Sequence, residues 1–101
     1  DVPEAPQKPG SVTLMPPYPN PFNGAVTLAF ELPDKSPVSV TVFDISGRAV
    51  RRFDMPSAPS GVNFLRWDAT TRAGEELSSG TYLYRVESGF GSAQGKIVYM
   101  K

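Results

Sequence analysis

Apolar and polar residues alternate along several short runs of this chain. In the first run the apolar side chains occupy every second position: Val26, Leu28, Phe30 and Leu32. Two later runs repeat the pattern, with Val38, Val40 and Val42 and then with Tyr82, Tyr84 and Val86. A period of two is typical of strands that bury one face and leave the other in water. No segment has a sustained helical period, so the pattern predicts an all-β protein.

Turn residues separate these runs at intervals of roughly ten residues. Segments 33–37, 44–48 and 89–92 carry the prolines, glycines and aspartates of turns, and Gly47 is expected to supply a positive φ in a tight hairpin. The prolines of segment 56–61 predict a break, so the strand before it is expected to cover residues 49–53 only. Further strands are expected at 62–68 and 94–101. The sum is an antiparallel immunoglobulin-like β-sandwich of about seven strands.

The first seventeen residues read as a Pro-rich linker, and residues 18–101 as the folded domain. Pro3, Pro6 and Pro9 lie among polar residues, which favours an extended tether. Segment 12–14 has the residues for a short edge strand, and Phe22 is expected to plug one end of the core. The chain starts at Asp1 without a signal peptide, and we therefore expect it to be the C-terminal part of a larger protein.

Composition excludes several classes of function. The chain has ten basic and ten acidic residues, so it has no net charge to attract nucleic acid. It has neither histidine nor cysteine, which removes a Ser-His-Asp triad, a thiol nucleophile and a His- or Cys-ligated metal. No apolar stretch approaches the ~18 residues of a transmembrane helix. Arginines 48, 51 and 52 are interpreted as a solvated surface. We expect no enzyme activity, no cofactor and no metal site.

Two weaker candidates concern the loops and the aromatic residues. Asp68 and Glu76 border a polar loop whose oxygens could hold calcium, although the loop lacks the dense Asp/Asn alternation of strong sites. Several aromatic side chains could stack on sugars if they lie on an exposed face, namely Tyr18, Trp67, Tyr82, Tyr84 and Tyr99. Because most of them occupy alternating strands, of which one face must be core, we expect Trp67 to be buried.

A series of motifs resembles a known family. In order, the chain carries Tyr-Pro-Asn-Pro-Phe-Asn at 18–23, Phe-Asp-Ile-Ser-Gly-Arg-Ala-Val at 43–50, Trp-Asp at 67–68, Ser-Gly-Thr-Tyr-Leu-Tyr-Arg-Val at 79–86 and Lys-Ile-Val-Tyr-Met-Lys at 96–101. Over roughly residues 12–101 it resembles the type A C-terminal sorting domain of the type IX secretion system. It is also similar to the immunoglobulin-like domain of flagellar hook-capping proteins.

The resemblance implies a function and a set of recognition residues. Sorting domains of this kind fold as a seven-stranded sandwich in the periplasm and direct an upstream cargo domain across the outer membrane to the cell surface or the medium. The expected partners are the outer-membrane translocation machinery and a sortase-like surface protease. By motif match the residues implied in recognition are Pro19, Asn20, Pro21, Asn23, Gly47, Arg48, Lys96, Ile97, Val98 and Lys101.

Each of these segments also has a purely structural interpretation. The last six residues are expected to form the closing edge strand, with lysines that discourage aggregation. Gly47 and Arg48 fit a turn with a solvated arginine. The alternative functions are therefore a carbohydrate-binding module or a structural spacer within a larger extracellular protein. A further expectation is that a partner binds by adding a strand to an open sheet edge.

Overall fold

The structure, a computed structural model, describes residues 11–101; residues 1–10, and with them most of the predicted linker, lie outside the described residues. Its seven strands are β1 Thr13–Leu14, β2 Val26–Leu32, β3 Ser36–Phe43, β4 Ala49–Ala58, β5 Gly61–Trp67, β6 Gly80–Ser88 and β7 Gly91–Tyr99. They form an immunoglobulin-like sandwich, which confirms the predicted fold class. Nowhere in residues 11–101 is there a helix long and apolar enough to cross a membrane.

Two antiparallel sheets face each other. The smaller has the order β1-β2-β5 and the larger the order β4-β3-β6-β7. In constant-type immunoglobulin domains the fourth strand joins the sheet of the first two strands, whereas here β4 pairs with β3 in the other sheet. Consequently β1 and β5 are the edges of the small sheet, and β4 and β7 are the edges of the large one.

The core lies between the sheets and follows the alternation in the sequence. Val26, Leu28 and Phe30 are fully buried, as are the even-numbered valines of β3. Trp67 is buried as expected, and its ring meets that of Tyr82 edge-on with centroids 5.6 Å apart. The Tyr82 hydroxyl donates a 2.6 Å hydrogen bond to the carbonyl of Ser78 four residues upstream. This is the tyrosine corner of immunoglobulin-like folds, in which a tyrosine near the start of the sixth strand fixes the preceding connection.

Several strand boundaries differ from the sequence prediction. β3 begins at Ser36, inside the segment 33–37 that was predicted as a turn. β4 continues to Ala58 through Pro56, because β4 is an edge strand and its register with β3 shifts at this point. A proline in an edge strand or bulge removes no ladder hydrogen bond. β7 begins at Gly91 and ends at Tyr99, so it starts earlier and stops before the last two residues. β1 occupies two of the three residues that were expected to add an edge strand, and the preceding Val12 is buried in the core.

The strand directions gather several loops at one end of the sandwich, which we call the C-terminal end. Here lie segment 18–24, which leads into β2, the β3–β4 turn at 44–48, the connection 68–79 and the last two residues. The β6–β7 turn and the β2–β3 turn lie at the opposite end, where residue 11 also enters. The motifs that suggested recognition are therefore concentrated at the C-terminal end.

Candidate recognition site at the C-terminal end

Segment 18–23 is held against the sandwich by backbone and ring contacts. Tyr18 and Thr27 exchange backbone hydrogen bonds of 3.2 and 2.8 Å, and the peptide bonds before Pro19 and Pro21 are both cis. The ring of Phe22 is buried and stacks on that of Tyr99 with centroids 5.0 Å apart. Phe22 thus closes the core at this end, as the sequence predicted.

The same segment covers the outer edge of β7. The side-chain amide of Asn20 donates to the Lys96 carbonyl at 3.3 Å and accepts the Val98 N–H at 2.9 Å. Phe22 adds two backbone bonds, donating to the Val98 carbonyl at 2.9 Å and accepting the Met100 N–H at 2.8 Å. These four hydrogen bonds join two motifs that are more than 70 residues apart in sequence. We call Asn20 and Phe22, together with the backbone of residues 96–100 that they bind, the clamp.

The clamp changes what the tail can offer to a partner. The outward backbone groups of β7 from the Lys96 carbonyl to the Met100 N–H already have partners within the chain. A partner strand could pair there only by displacing Asn20 and Phe22. Strand addition at the last residues of the chain is therefore blocked in this conformation, and recognition of the folded tail has to use side chains.

The side chains of the tail divide into buried and exposed ones. Ile97 is fully buried, so it supports the core and is out of reach of a partner. Lys96 is exposed, and its ammonium forms no ion pair with any residue of 11–101; Val98 is half-buried on the same outer face. Lys101 is tied by its backbone N–H to the Ser79 hydroxyl at 2.8 Å, and its ammonium lies 3.6 Å from a Glu76 carboxylate oxygen.

The β3–β4 turn is organised by Asp44. One oxygen of its carboxylate accepts hydrogen bonds from the Ser46 hydroxyl and from the backbone N–H groups of Ser46 and Arg48. These bonds, the Ser46 hydroxyl first, hold the pKa of the Asp44 carboxyl below its usual range. Gly47 has φ +91°, as predicted, and the exposed Arg48 guanidinium lies 3.4 Å from Asp44. Contacts among residues 44–48 alone thus stabilise the turn, which agrees with the structural interpretation of Gly47 and Arg48.

The last residue of β3 and the first residue of the tail motif lie in one row on the outer face of the large sheet. Phe43 is opposite Leu83, and Leu83 is opposite Lys96, so the three side chains form a row across β3, β6 and β7. The Arg85 guanidinium lies over the Phe43 ring, 5.5 Å from its centroid. Beside this row is a depression of about 190 Å³ that Gly47 also lines. The row thus combines two apolar side chains, the half-buried Phe43 and the exposed Leu83, with the cation of Lys96, and sequence reasoning did not identify it.

The connection 68–79 is held by backbone hydrogen bonds, such as the one that Leu77 N–H donates to the Ala69 carbonyl at 3.0 Å, and by side-chain contacts. The Tyr99 hydroxyl donates a hydrogen bond to the Glu76 carboxylate at 3.1 Å. Burial is the main cause that raises the pKa of Tyr99, and the hydrogen bond to Glu76 raises it further. Asp68 accepts the Thr70 hydroxyl, which lowers the pKa of its carboxyl. Among the described residues no three acidic side chains come together in a group suited to a metal ion. The calcium hypothesis therefore gains no geometric support.

The aromatic candidates for sugar stacking lie mostly in the core. Trp67, Tyr82, Tyr84 and Tyr99 are all buried, whereas Tyr18 is 54 % exposed. Burial also raises the pKa of Tyr84. Of the five candidates, Tyr18 alone has an exposed ring, so they do not form a shared stacking face.

Of the predicted recognition residues, most come together and two stand apart. Asn20 contacts the tail directly, and Pro19, Pro21 and Asn23 line one depression of about 450 Å³ with Met100 and Lys101. Gly47 and Arg48 lie in the neighbouring turn. Sequence reasoning missed Glu76 and Ser79, which hold the last residue. The loop itself was located in the sequence, but no local pattern links Glu76 and Ser79 to Lys101.

Comparison with known proteins agrees with this architecture. The FlgD Ig-like domain family matches residues 19–92 of the chain. A search of curated protein sequences found no match. Among solved structures, dimeric latent PorU from Porphyromonas gingivalis is similar with a TM-score of 0.74 and 21 % identity; the alignment covers 93 % of this chain and 10 % of PorU.

Two other solved structures share the fold. FlgD from P. aeruginosa has a TM-score of 0.63 at 19 % identity, covering 88 % of this chain and 74 % of that one. PorZ of P. gingivalis, described as an essential bacterial surface component of the type IX secretion system, has a TM-score of 0.61 at 22 % identity. That alignment covers 87 % of this chain and 11 % of PorZ. The chain thus spans about a tenth of PorU or PorZ, and at these identities the similarity is one of fold.

Proposed function

This chain belongs to the FlgD Ig-like domain family, and we propose that it acts as a non-catalytic secretion and sorting domain. It directs an attached upstream protein across the outer membrane by type IX secretion, to the cell surface or the medium. Its partners are the outer-membrane translocation machinery and a sortase-like surface protease. The motifs at 18–23 and 96–101 and the fold similarity to PorU and PorZ motivate this proposal.

The observation that carries the proposal is the clamp. Asn20 joins the first motif to the backbone of the last one, so the folded domain presents both motifs as one surface. A receptor that reads this surface recognises a folded C-terminal end and not merely an extended peptide. Such a receptor rejects an unfolded cargo tail, because the two motifs are then apart.

The contacts available to the receptor are side chains. The row of Phe43, Leu83 and Lys96 offers apolar area with a free ammonium at one side, and Arg85 adds a second cation. We infer that the receptor surface is apolar with carboxylates at its rim. Charges of this kind mainly set the rate and specificity of association.

The experiment is an export assay with a stability control. The chain is fused to the C-terminus of a reporter in a host with type IX secretion, and the exported fraction is measured for Lys96→Ala combined with Lys101→Ala. Exposed lysines affect stability by ~0.5 kcal/mol or less, so the melting temperature is expected to stay nearly constant while export falls. Lys35→Ala, an exposed lysine at the opposite end, is the matched control. Normal export of the double variant would refute recognition through the tail lysines.

A structural spacer is the second candidate, and the family match favours it. The similarity to P. aeruginosa FlgD covers most of the FlgD chain. In the present chain the motifs at 18–23 and 96–101 also hold the fold together, so they need no receptor to explain them. A spacer predicts that the wild-type fusion is not exported in the same host. It also predicts that a different immunoglobulin-like domain can replace residues 11–101 without loss of function in the parent protein.

A further inference from the structure

The strand β5 has an edge that pairs with no described segment. Thr27 exchanges backbone bonds with Tyr18, and the Ala29 carbonyl accepts the Met15 N–H, so the odd-numbered residues of β2 direct their backbone groups toward β1. The even-numbered residues therefore bond to β5. In antiparallel pairs the direction of the backbone groups alternates from residue to residue.

The register then fixes which groups of β5 point away from the sheet. Val26, Leu28, Phe30 and Leu32 are opposite the odd-numbered residues of β5, which consequently use their backbone groups toward β2. The N–H and C=O groups of Val62, Phe64 and Arg66 point outward. None of the backbone bonds formed by residues 11–101 outside the strand ladders involves these three residues.

The side chains at this edge are also open. Phe64 is 62 % exposed and Val62 is 45 % exposed on the outer face of the small sheet. The two edges of the large sheet are protected differently: β4 contains Pro56 and the Arg52–Asp54 ion pair, and the last part of β7, from the Lys96 carbonyl onward, is covered by the clamp. Proline, charges and covering segments are the usual protection of edge strands, and β5 lacks the proline and the cover.

We propose that β5 is a self-association edge at which a second copy of this chain adds its own β5 in antiparallel orientation. With a two-fold axis next to Phe64, the central residue of β5, the two copies of the strand pair along their whole length. Phe64 then pairs with the partner's Phe64, and Val62 pairs with the partner's Arg66. Each of these pairs exchanges two backbone hydrogen bonds, and the small sheets of two molecules join into one sheet of six strands.

Charge complementarity favours an identical copy over an unrelated strand. Glu31 is opposite Val62 within the chain and is exposed. The two-fold places the partner's Arg66 on the other side of Val62, two strand spacings or about 10 Å from Glu31 between backbones. Both side chains are long enough to meet over Val62. The symmetric arrangement repeats this contact, so two opposite-charge pairs flank the central pair of phenylalanines, which is itself a favourable cross-strand pair.

The interface is small, so the dimer is expected to be weak. Complexes that bury less than about 1,200 Å² are mostly transient, and we expect dimers of the full chain at about 1 mM that dissociate on dilution. Sedimentation velocity and a dilution series of ¹⁵N-¹H spectra measure this. The amide signals of Val62, Phe64 and Arg66 are expected to shift with concentration. A monomer at 1 mM would overturn the proposal.

Two variants test the geometry. Phe64→Pro removes the central outward N–H, which the ladder with β2 does not use, and is expected to weaken association at least tenfold. Arg66→Glu places a carboxylate near the partner's Glu31 and is expected to weaken it several-fold, with restoration by adding Glu31→Arg. Ile45→Ser, at a side chain 84 % exposed on another loop, is the control for non-specific stickiness.

The outcomes are distinct. Loss of the dimer in Arg66→Glu and its return in the double variant support the proposed register, even if Phe64→Pro does not fold. Dimerisation that neither variant changes, or that Ile45→Ser abolishes, would refute the β5 edge as the contact.

Discussion

The clamp between Asn20 and β7 makes a quantitative prediction. Asn20→Ala removes one hydrogen bond donated to the Lys96 carbonyl and one accepted from the Val98 N–H. A hydrogen bond contributes about 0.5–1.5 kcal/mol net, and because these groups are exposed to water once unpaired, the lower part of the range applies. The variant is therefore expected to lose about 1–2 kcal/mol of unfolding free energy, which lowers the melting temperature by about 4–16 °C for a domain of this size.

Asn23→Ala is the matched control, since it changes the same residue type three positions further along the same motif. Asn23 is exposed, and its side chain makes no hydrogen bond with the part of the chain that the structure describes. Its replacement is expected to change stability by less than about 0.5 kcal/mol. Both variants are measured by urea and thermal unfolding followed by circular dichroism.

Hydrogen exchange shows whether the loss is local. In Asn20→Ala the Val98 amide, which points outward to the clamp, is expected to lose protection. The Ile97 amide, which points to β6, is expected to keep it because the β6–β7 ladder remains. Equal stability of the two asparagine variants, or unchanged exchange at Val98, would show that the clamp does not hold the tail.

Three further predictions concern the core and the titrating groups. A Cβ on Gly95 would lie 2.9 Å from ring atoms of the buried Tyr84, so Gly95→Ala is expected to cost about 1–3 kcal/mol in urea unfolding, whereas Gly24→Ala, which meets nothing within 4 Å, is expected to be nearly neutral. Burial raises the pKa of Tyr84 in the folded state, so the stability that the neutral phenol contributes is complete below about pH 10 and is lost as the pH rises further. The variant Tyr84→Phe is expected to lose less unfolding free energy at alkaline pH than the wild type. An alkaline stability profile identical to that of the wild type would contradict this prediction. The pKa of Asp44 is lowered in the folded state, so its contribution is present above about pH 4 and disappears as the pH falls through the folded value; unfolding of Asp44→Asn between pH 2 and 7 is expected to show a weaker acid dependence than the wild type.

The fold could be predicted for strands that bury one face, because their apolar residues then alternate with polar ones. The alternation in β2 and β3 identified both the strands and their inward residues, because a shift by one position would expose the valines and Phe30. The prediction failed at β4, where a proline was taken as a break. Edge position and a shifted register make Pro56 acceptable, and neither can be seen in a single sequence.

The candidate site was only partly predictable for a different reason. The motifs at 18–23 and 96–101 were recognised separately, but no periodicity links an asparagine side chain to a backbone more than 70 residues away. The row of Phe43, Leu83 and Lys96 depends on the pairing of three strands, which follows from topology. Local patterns thus identified the parts, and their arrangement required the structure.

The positions where the chain enters and leaves the sandwich have a mechanical consequence. Residue 11 enters at one end and Lys101 lies at the other, and the nine residues of β7 lead to Lys101. Tension between these two points loads the hydrogen bonds of β7 side by side, in shear, instead of peeling them open one after another. The grip of Asn20 and Phe22 on the far side of the last strand adds bonds that must break together with those of β6. The domain is therefore expected to resist unfolding by a force applied along its length.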